Sequence, residues 1–258
     1  MIDISTLEVS GFKGAILGMR NPFKNRDKSD SGVYDADSDG YPIFTIGAKD
    51  LELAQKLVLA GGDDDAKFMR MIHVQADVNA PLYWWKEYDT YKVATVANSE
   101  STMHTIHKKA FEETDFSREE FLTNLGMKRA IQEKEFTETD FFYNESEVYD
   151  PDDDDTSVEE YLFNISIIYL NNIRESYLKA MEDKDTEKAK YYWRNMIQLL
   201  PESYMQKRTI DLNYQTLRRI YFARMNHKLD EWHKFCDWIK TLPYAEELIT
   251  YKPDETVY

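Results

Sequence analysis

Apolar residues in FMRMIHVQADVN fall at every second place, with Ile72, Val74, Ala76 and Val78 alternating with His73, Gln75 and Asp77. A period of two puts each set on its own side of an extended chain, so residues 69–79 are predicted to form a strand with one buried face. The preceding stretch DLELAQKLVLAGG changes period: Leu51, Ala54, Leu57 and Val58 share one face of a helix, and the glycines that follow suit its C-terminal cap. Pro81 marks the start of another helix. Helical spacing returns in Val158, Tyr161, Leu162, Ile165, Ile168 and Tyr169, predicting a helix from Val158 to about Met181. A second helical stretch runs on to Leu200, where Pro201 ends it. KRTIDLN reads as a short strand, Asn213 as the N-cap of the helix YQTLRRIYFAR, and residues from Leu229 to Thr241 as a final helix.

Strand and helix periods thus mix along a chain of 258 residues without an internal repeat or a linker-like stretch. The pattern predicts one α/β domain over residues 1–258, with an acidic helical insertion around 110–190. A hydrophobic content of 42% is ordinary for a globular protein with a sizeable core.

Charge narrows the range of partners. A net charge of −16 opposes nonspecific binding to nucleic acid or an anionic membrane, while leaving room for a local phosphate pocket. No run of about 18 apolar residues is present to span a bilayer, and MIDISTLEVSGFKG lacks a signal-peptide pattern, so the chain is expected to stay in the cytoplasm. Cys236, the single cysteine, rules out an intrachain disulfide framework and a multi-cysteine zinc site.

Individual motifs divide between chemistry and plain solvation. DADSDG places Asp35, Asp37, Asp39 and Gly40 like the start of a calcium loop, but the twelfth position is Ile46, where a bidentate acid is required, so a polar turn is expected. The acidic tract VYDPDDDDTSVEE, residues 148–160, reads as a solvated approach to a helix or as a surface for a basic partner. His104 and His107 have the spacing of one helical face but no third metal ligand nearby, and no metal is assigned. Glycine-rich phosphate loops, the G-x-S-x-G elbow and the H-E-x-x-H pair are absent. In the C-terminal region Asn213, Leu217, Ile220, Tyr221 and Arg224 share a helical face, so Arg224 requires a carboxylate, a carbonyl or a ligand phosphate.

The stretch LLPESYMQKRTIDLNYQTLRRIYFARMNHKLDEW, residues 199–232, resembles the C-terminal region of flavin-dependent thymidylate synthases through Leu200, Pro201, Asn213, Leu217, Arg224, Glu231 and Trp232. Ile197 stands where that family usually has an arginine before the Leu-Pro. The family's Arg-His-Arg signature, which helps hold the flavin, falls on Thr90, Tyr91 and Lys92, its inner serine on Thr95, its asparagine on Asn98 and its last serine on Ser101, with a spacer one residue longer. The resemblance implies an α/β fold, a single domain with a mixed or antiparallel sheet and long helices. It implies methylation of dUMP from methylenetetrahydrofolate with reduced FAD as hydride donor, and assembly into a homotetramer. Lys92, Asn98 and Tyr91 would then face the cofactor, and Ser101, Arg224 and Asn213 the substrate.

Replacement of the Arg-His-Arg signature also motivates an alternative, a non-catalytic relative that senses or sequesters a nucleotide. The aromatic run from Tyr83 through Trp84, Trp85 and Tyr88 to Tyr91 is divided between core and pocket, with the two tryptophans expected in the core.

Overall fold

A computed structural model describes residues 2–36, 42–60, 64–118 and 158–252. Asp37, Asp39 and Gly40 of the calcium-like loop and residues 148–157 of the acidic tract lie outside the described residues. The chain is α/β, with an antiparallel sheet and long helices. It divides into two compact units, Met1–Glu100 with Gln206–Tyr258, and Ser101–Met205. Among the described residues no helix is long and apolar enough to cross a membrane.

The first unit is built on four strands, β1 (Asp3–Ser10), β4 (His73–Pro81), β5 (Thr95–Ser99) and β6 (Met205–Asn213), in the order β1-β4-β6-β5. A separate hairpin pairs β2 (Gly32–Ala36) with β3 (Pro42–Thr45). β1 and β4 pair antiparallel, as do β5 and β6. His73 on β4 meets Asp211 on β6 whereas Asp77 meets Lys207 and Thr209, so these central strands also run in opposite senses. The alternation predicted from sequence is realised: Val74, Ala76, Val78 and Ala80 are fully buried while His73 and Gln75 face out.

The strand starts later than expected, because Asp65–Met71 forms a 3-10 helix whose Ala66, Phe68 and Met69 already enter the core. Ile72 then donates to the Met69 carbonyl at 3.3 Å, closing the turn before extended backbone begins. Gly11 lies against this turn with φ +95°, and a Cβ there would sit 1.8 Å from the Met71 carbonyl oxygen, so only glycine fits.

Helices α1 (Phe12–Gly18), α2 (Ala48–Leu59) and α3 (Leu82–Tyr88) pack apolar residues into the same core. Helix α2 has no side-chain cap from its own N-cap residue, Gly47. Instead Asp30, remote in sequence, accepts from the backbone N–H groups of Lys49 at 2.9 Å and Asp50 at 3.1 Å. α3 buries Trp84, Trp85 and Tyr88, and Trp84 lies 4.7 Å from Trp232 between ring centroids. The two tryptophans are therefore core residues. The Tyr214–Arg224 helix follows β6, and Asn213 caps it by accepting from Thr216 N–H at 2.9 Å. The Asp230–Lys240 helix closes the core with Trp232, Phe235, Trp238 and Ile239.

The second unit holds the long helix Val158–Glu182 and the helix Thr186–Leu199, close to their predicted bounds. Asp185 caps the latter by accepting from Lys188 N–H at 3.1 Å. Ile106, Phe111, Phe116, Leu170, Ile173 and Met196 form its apolar centre. Asn171 fixes the incoming chain from both sides: its oxygen accepts from Phe111 N–H at 2.8 Å and its amide nitrogen donates to the Phe111 carbonyl at 3.0 Å.

Candidate functional site

Glu87, in the last turn of α3, gathers side chains from the two C-terminal helices. Its Oε2 accepts from Arg224 Nη1 at 3.0 Å and from Trp232 Nε1 at 2.8 Å, and His227 Nε2 lies 3.4 Å away. Arg224 Nε donates to the Tyr91 hydroxyl at 2.7 Å. The guanidinium also lies 4.7 Å from the Trp232 ring centroid, within cation–π range. One carboxylate thus neutralises an arginine that the core leaves only partly exposed, and the Trp232 ring covers one side of the guanidinium. Beside it, the Tyr83 hydroxyl donates to Glu231.

The residues after α3 part in two directions. Tyr91 turns inward to Arg224, whereas Lys92 is exposed and makes no ion pair among the described residues. Thr90 donates its hydroxyl to the Glu87 carbonyl at 2.7 Å, and the Thr95 hydroxyl donates to the Tyr91 carbonyl. These bonds shape the turn around Ala94, which has φ 58°, and lead into β5. Asn98 is exposed on β5 opposite Thr209. Ser101 opens the second unit, where its carbonyl accepts from His104 N–H at 3.0 Å and the Thr105 hydroxyl at 2.8 Å. Of the residues singled out from sequence, Tyr91 and Arg224 are in direct contact, Lys92 and Asn98 are exposed near and on the edge strand, and the Asn213 side-chain oxygen serves the helix cap.

Two polar groupings were not foreseen. On the open face of the sheet, Asp77 binds Lys207 at 2.8 Å and accepts from the Thr209 hydroxyl at 2.6 Å, and these bonds hold its carboxyl below the usual range. Asp211 accepts from Gln75 at 3.1 Å and pairs with His73 at 2.9 Å. Arg208, between Lys207 and Thr209, points to the other face of β6, where it binds Asp89 at 2.8 Å and lies 4.2 Å from the Trp85 ring centroid. The polar halves of HVQADVN and QKRTIDL are the sequence signal for the open face.

The second grouping is interior. Asp50 is fully buried, and its carboxylate accepts from Arg20 and from the hydroxyls of Ser29 and Ser31, the latter two at 2.5 Å. Burial raises the Asp50 pKa, but the hydrogen bonds from Ser29, Ser31 and Arg20 outweigh it and leave the carboxyl below its ordinary 3.8. Arg20, the Ser29–Ser31 turn and Asp50 are brought together from separate elements between residues 20 and 50, and no short motif announces them. Among the described residues, no group of three or more histidine, cysteine, aspartate or glutamate side chains could hold a metal ion.

No protein-family model matches the chain, and no curated protein matches it in sequence. Solved structures do. The thymidylate synthase ThyX of Helicobacter pylori, solved with FAD and dUMP, aligns over 96% of this chain and 97% of its own at a TM-score of 0.55 and 15% identity. The chain has the fold of the flavin-dependent thymidylate synthases. A UMP/dUMP methylase, PolB of Streptomyces cacaoi, solved with 5-bromo-dUMP, also matches this thymidylate synthase fold, over 97% of this chain and 95% of its own at a TM-score of 0.52 and 13% identity.

Proposed function

We propose that the protein binds a uracil nucleotide on the β5 side of its sheet unit. The observation that carries this reading is the match over nearly the whole chain to two proteins solved with uracil nucleotides, one with dUMP and one with its 5-bromo derivative. Lys92 supplies an exposed ammonium for the phosphate, and Asn98 supplies an amide able to donate to and accept from a pyrimidine edge. Arg224 has two of its donors engaged by Tyr91 and Glu87, so its contribution to phosphate binding is limited to its remaining N–H groups.

The residues at the Arg-His-Arg places do not fit a flavin diphosphate. The Tyr91 hydroxyl is engaged by Arg224, the Thr90 hydroxyl by the Glu87 carbonyl, and Lys92 is the one cation between residues 90 and 101. Of the cations at this turn, Arg224 is held by Tyr91 and Glu87 and Arg208 by Asp89, so a diphosphate here would rely on Lys92. Binding without flavin is therefore the first reading. Flavin-dependent methylation of dUMP with methylenetetrahydrofolate is the second, favoured by the neighbour that holds FAD together with dUMP. Assembly of several copies belongs to either reading.

Calorimetry with dUMP and UMP, together with the visible spectrum after FAD is added and the excess removed, separates them. Saturable nucleotide binding with no retained flavin supports the first reading. Retained flavin absorbance moves the second ahead, and no binding of either nucleotide overturns both.

A further inference from the structure

The helical unit contains a cleft that the nucleotide reading leaves unused. Its volume is about 360 Å³, at the lower end of the range for small-molecule sites. Tyr177 and Trp193 supply aromatic walls, Met103 and Met181 an apolar surface, and His104, His107 and Lys190 the polar groups. The walls are fixed in place. Trp193 Nε1 donates to the Met103 carbonyl at 3.1 Å, and Arg174 Nε donates to the His107 carbonyl at 3.0 Å, tying the histidine turn to the Val158–Glu182 helix. The His107 ring packs on Tyr177 with centroids 5.0 Å apart.

Two features of this lining specify a ligand. Lys190 is exposed and makes no ion pair among the described residues, and no carboxylate lines the cleft. In a chain of net charge −16, a pocket with an ammonium, two imidazoles and no acid is selective for an anion. We propose that this cleft is a second ligand site, taking a planar aromatic molecule with one anionic group. The ring lies between Tyr177 and Trp193, and the anion meets Lys190.

The test uses the full chain and 2-naphthoate as probe, with 2-naphthamide as the uncharged counterpart, read by calorimetry and by saturation-transfer NMR. Naphthoate is expected to bind at one saturable site and naphthamide more weakly. Lys190→Ala is expected to weaken naphthoate binding about fivefold, as for one exposed charge pair. The variant is expected to leave dUMP affinity unchanged, so a failure here is separable from a failure of the nucleotide reading. Absence of saturable naphthoate binding, equal binding of naphthamide, or unchanged affinity in Lys190→Ala overturns the proposal. Lys190 is exposed and makes no ion pair among the described residues, so its removal leaves the fold intact and the variant decides the matter.

Discussion

Arg224 and Trp232 donate to the same oxygen of Glu87, at 3.0 and 2.8 Å, while the guanidinium lies over the indole ring. The C-terminal resemblance matched this arginine and this tryptophan across a turn, and their shared acceptor explains why the two are close. Glu87 ties α3 to both C-terminal helices through side chains that the surrounding rings keep partly out of water.

Removing the arginine takes a charged donor from a half-buried carboxylate. Arg224→Ala is expected to lower unfolding free energy by about 1–3 kcal/mol, measured by urea denaturation. Glu87→Gln should cost a similar amount, because it leaves Arg224 without its counter-charge. If Arg224 also touches a nucleotide phosphate, Arg224→Ala will weaken dUMP binding while Glu87→Gln will not. Equal effects on binding would assign the arginine to structure alone.

Legibility in the sequence followed the range over which each signal acts. β4 was readable because one buried face leaves a regular period in Val74, Ala76 and Val78, and the two long helices because their apolar spacing is helical, although Leu162, Ile168 and Tyr169 are exposed and the Val158–Glu182 helix buries Leu170 and Ile173 instead. β5 was not, since its residues are exposed or half-exposed and its strand state comes from pairing with β6. Asp30 capping α2 and Arg20 binding Asp50 join residues remote in sequence, which local pattern does not register. At the candidate site the sequence picked out Tyr91 and Arg224, but their mutual contact is tertiary.

The Asp50 network gives a test of both burial and charge. Asp50→Ala leaves Arg20 buried without its counter-ion and is expected to cost about 3–5 kcal/mol. The double variant Arg20→Met with Asp50→Leu should recover a large part of that loss, since it removes both charges. The folded-state pKa of Asp50 lies below its unfolded value, so its contribution is complete above about 3.8 and is lost as pH falls through the folded pKa. Stability of the wild type should therefore fall more steeply in acid than that of Asp50→Asn. Parallel pH–stability curves would show that Asp50 is not held ionised by the fold.

Gly11 combines a left-handed backbone with direct contact against the Met71 carbonyl. Gly11→Ala is expected to destabilise by about 2 kcal/mol or more, since backbone on one side or the other has to move. A variant as stable as wild type in thermal melts would contradict the close approach of these two segments.

Cys236 is buried in the Asp230–Lys240 helix, and burial pushes its thiol up to about 11. Little thiolate forms near neutral pH, and reagent access is closed as well. Labelling by a disulfide reagent at pH 8 should be slow in the native protein and accelerate with added urea in step with unfolding. Rapid labelling without urea would place this helix away from the core.

The nucleotide reading turns on Lys92, the exposed ammonium between α3 and β5. If it meets the phosphate, Lys92→Ala should weaken dUMP binding about fivefold at low salt, with a smaller difference at high salt where the charge is screened. Lys207 is the control. Its ammonium is held by Asp77 at 2.8 Å on the sheet face, so Lys207→Ala should leave dUMP affinity unchanged. Calorimetry across a salt series distinguishes a phosphate contact from a general effect of lowering positive charge, because only the contact makes the two lysines differ. Equal loss in both variants would assign Lys92 a diffuse electrostatic role and leave the nucleotide to other residues of this fold.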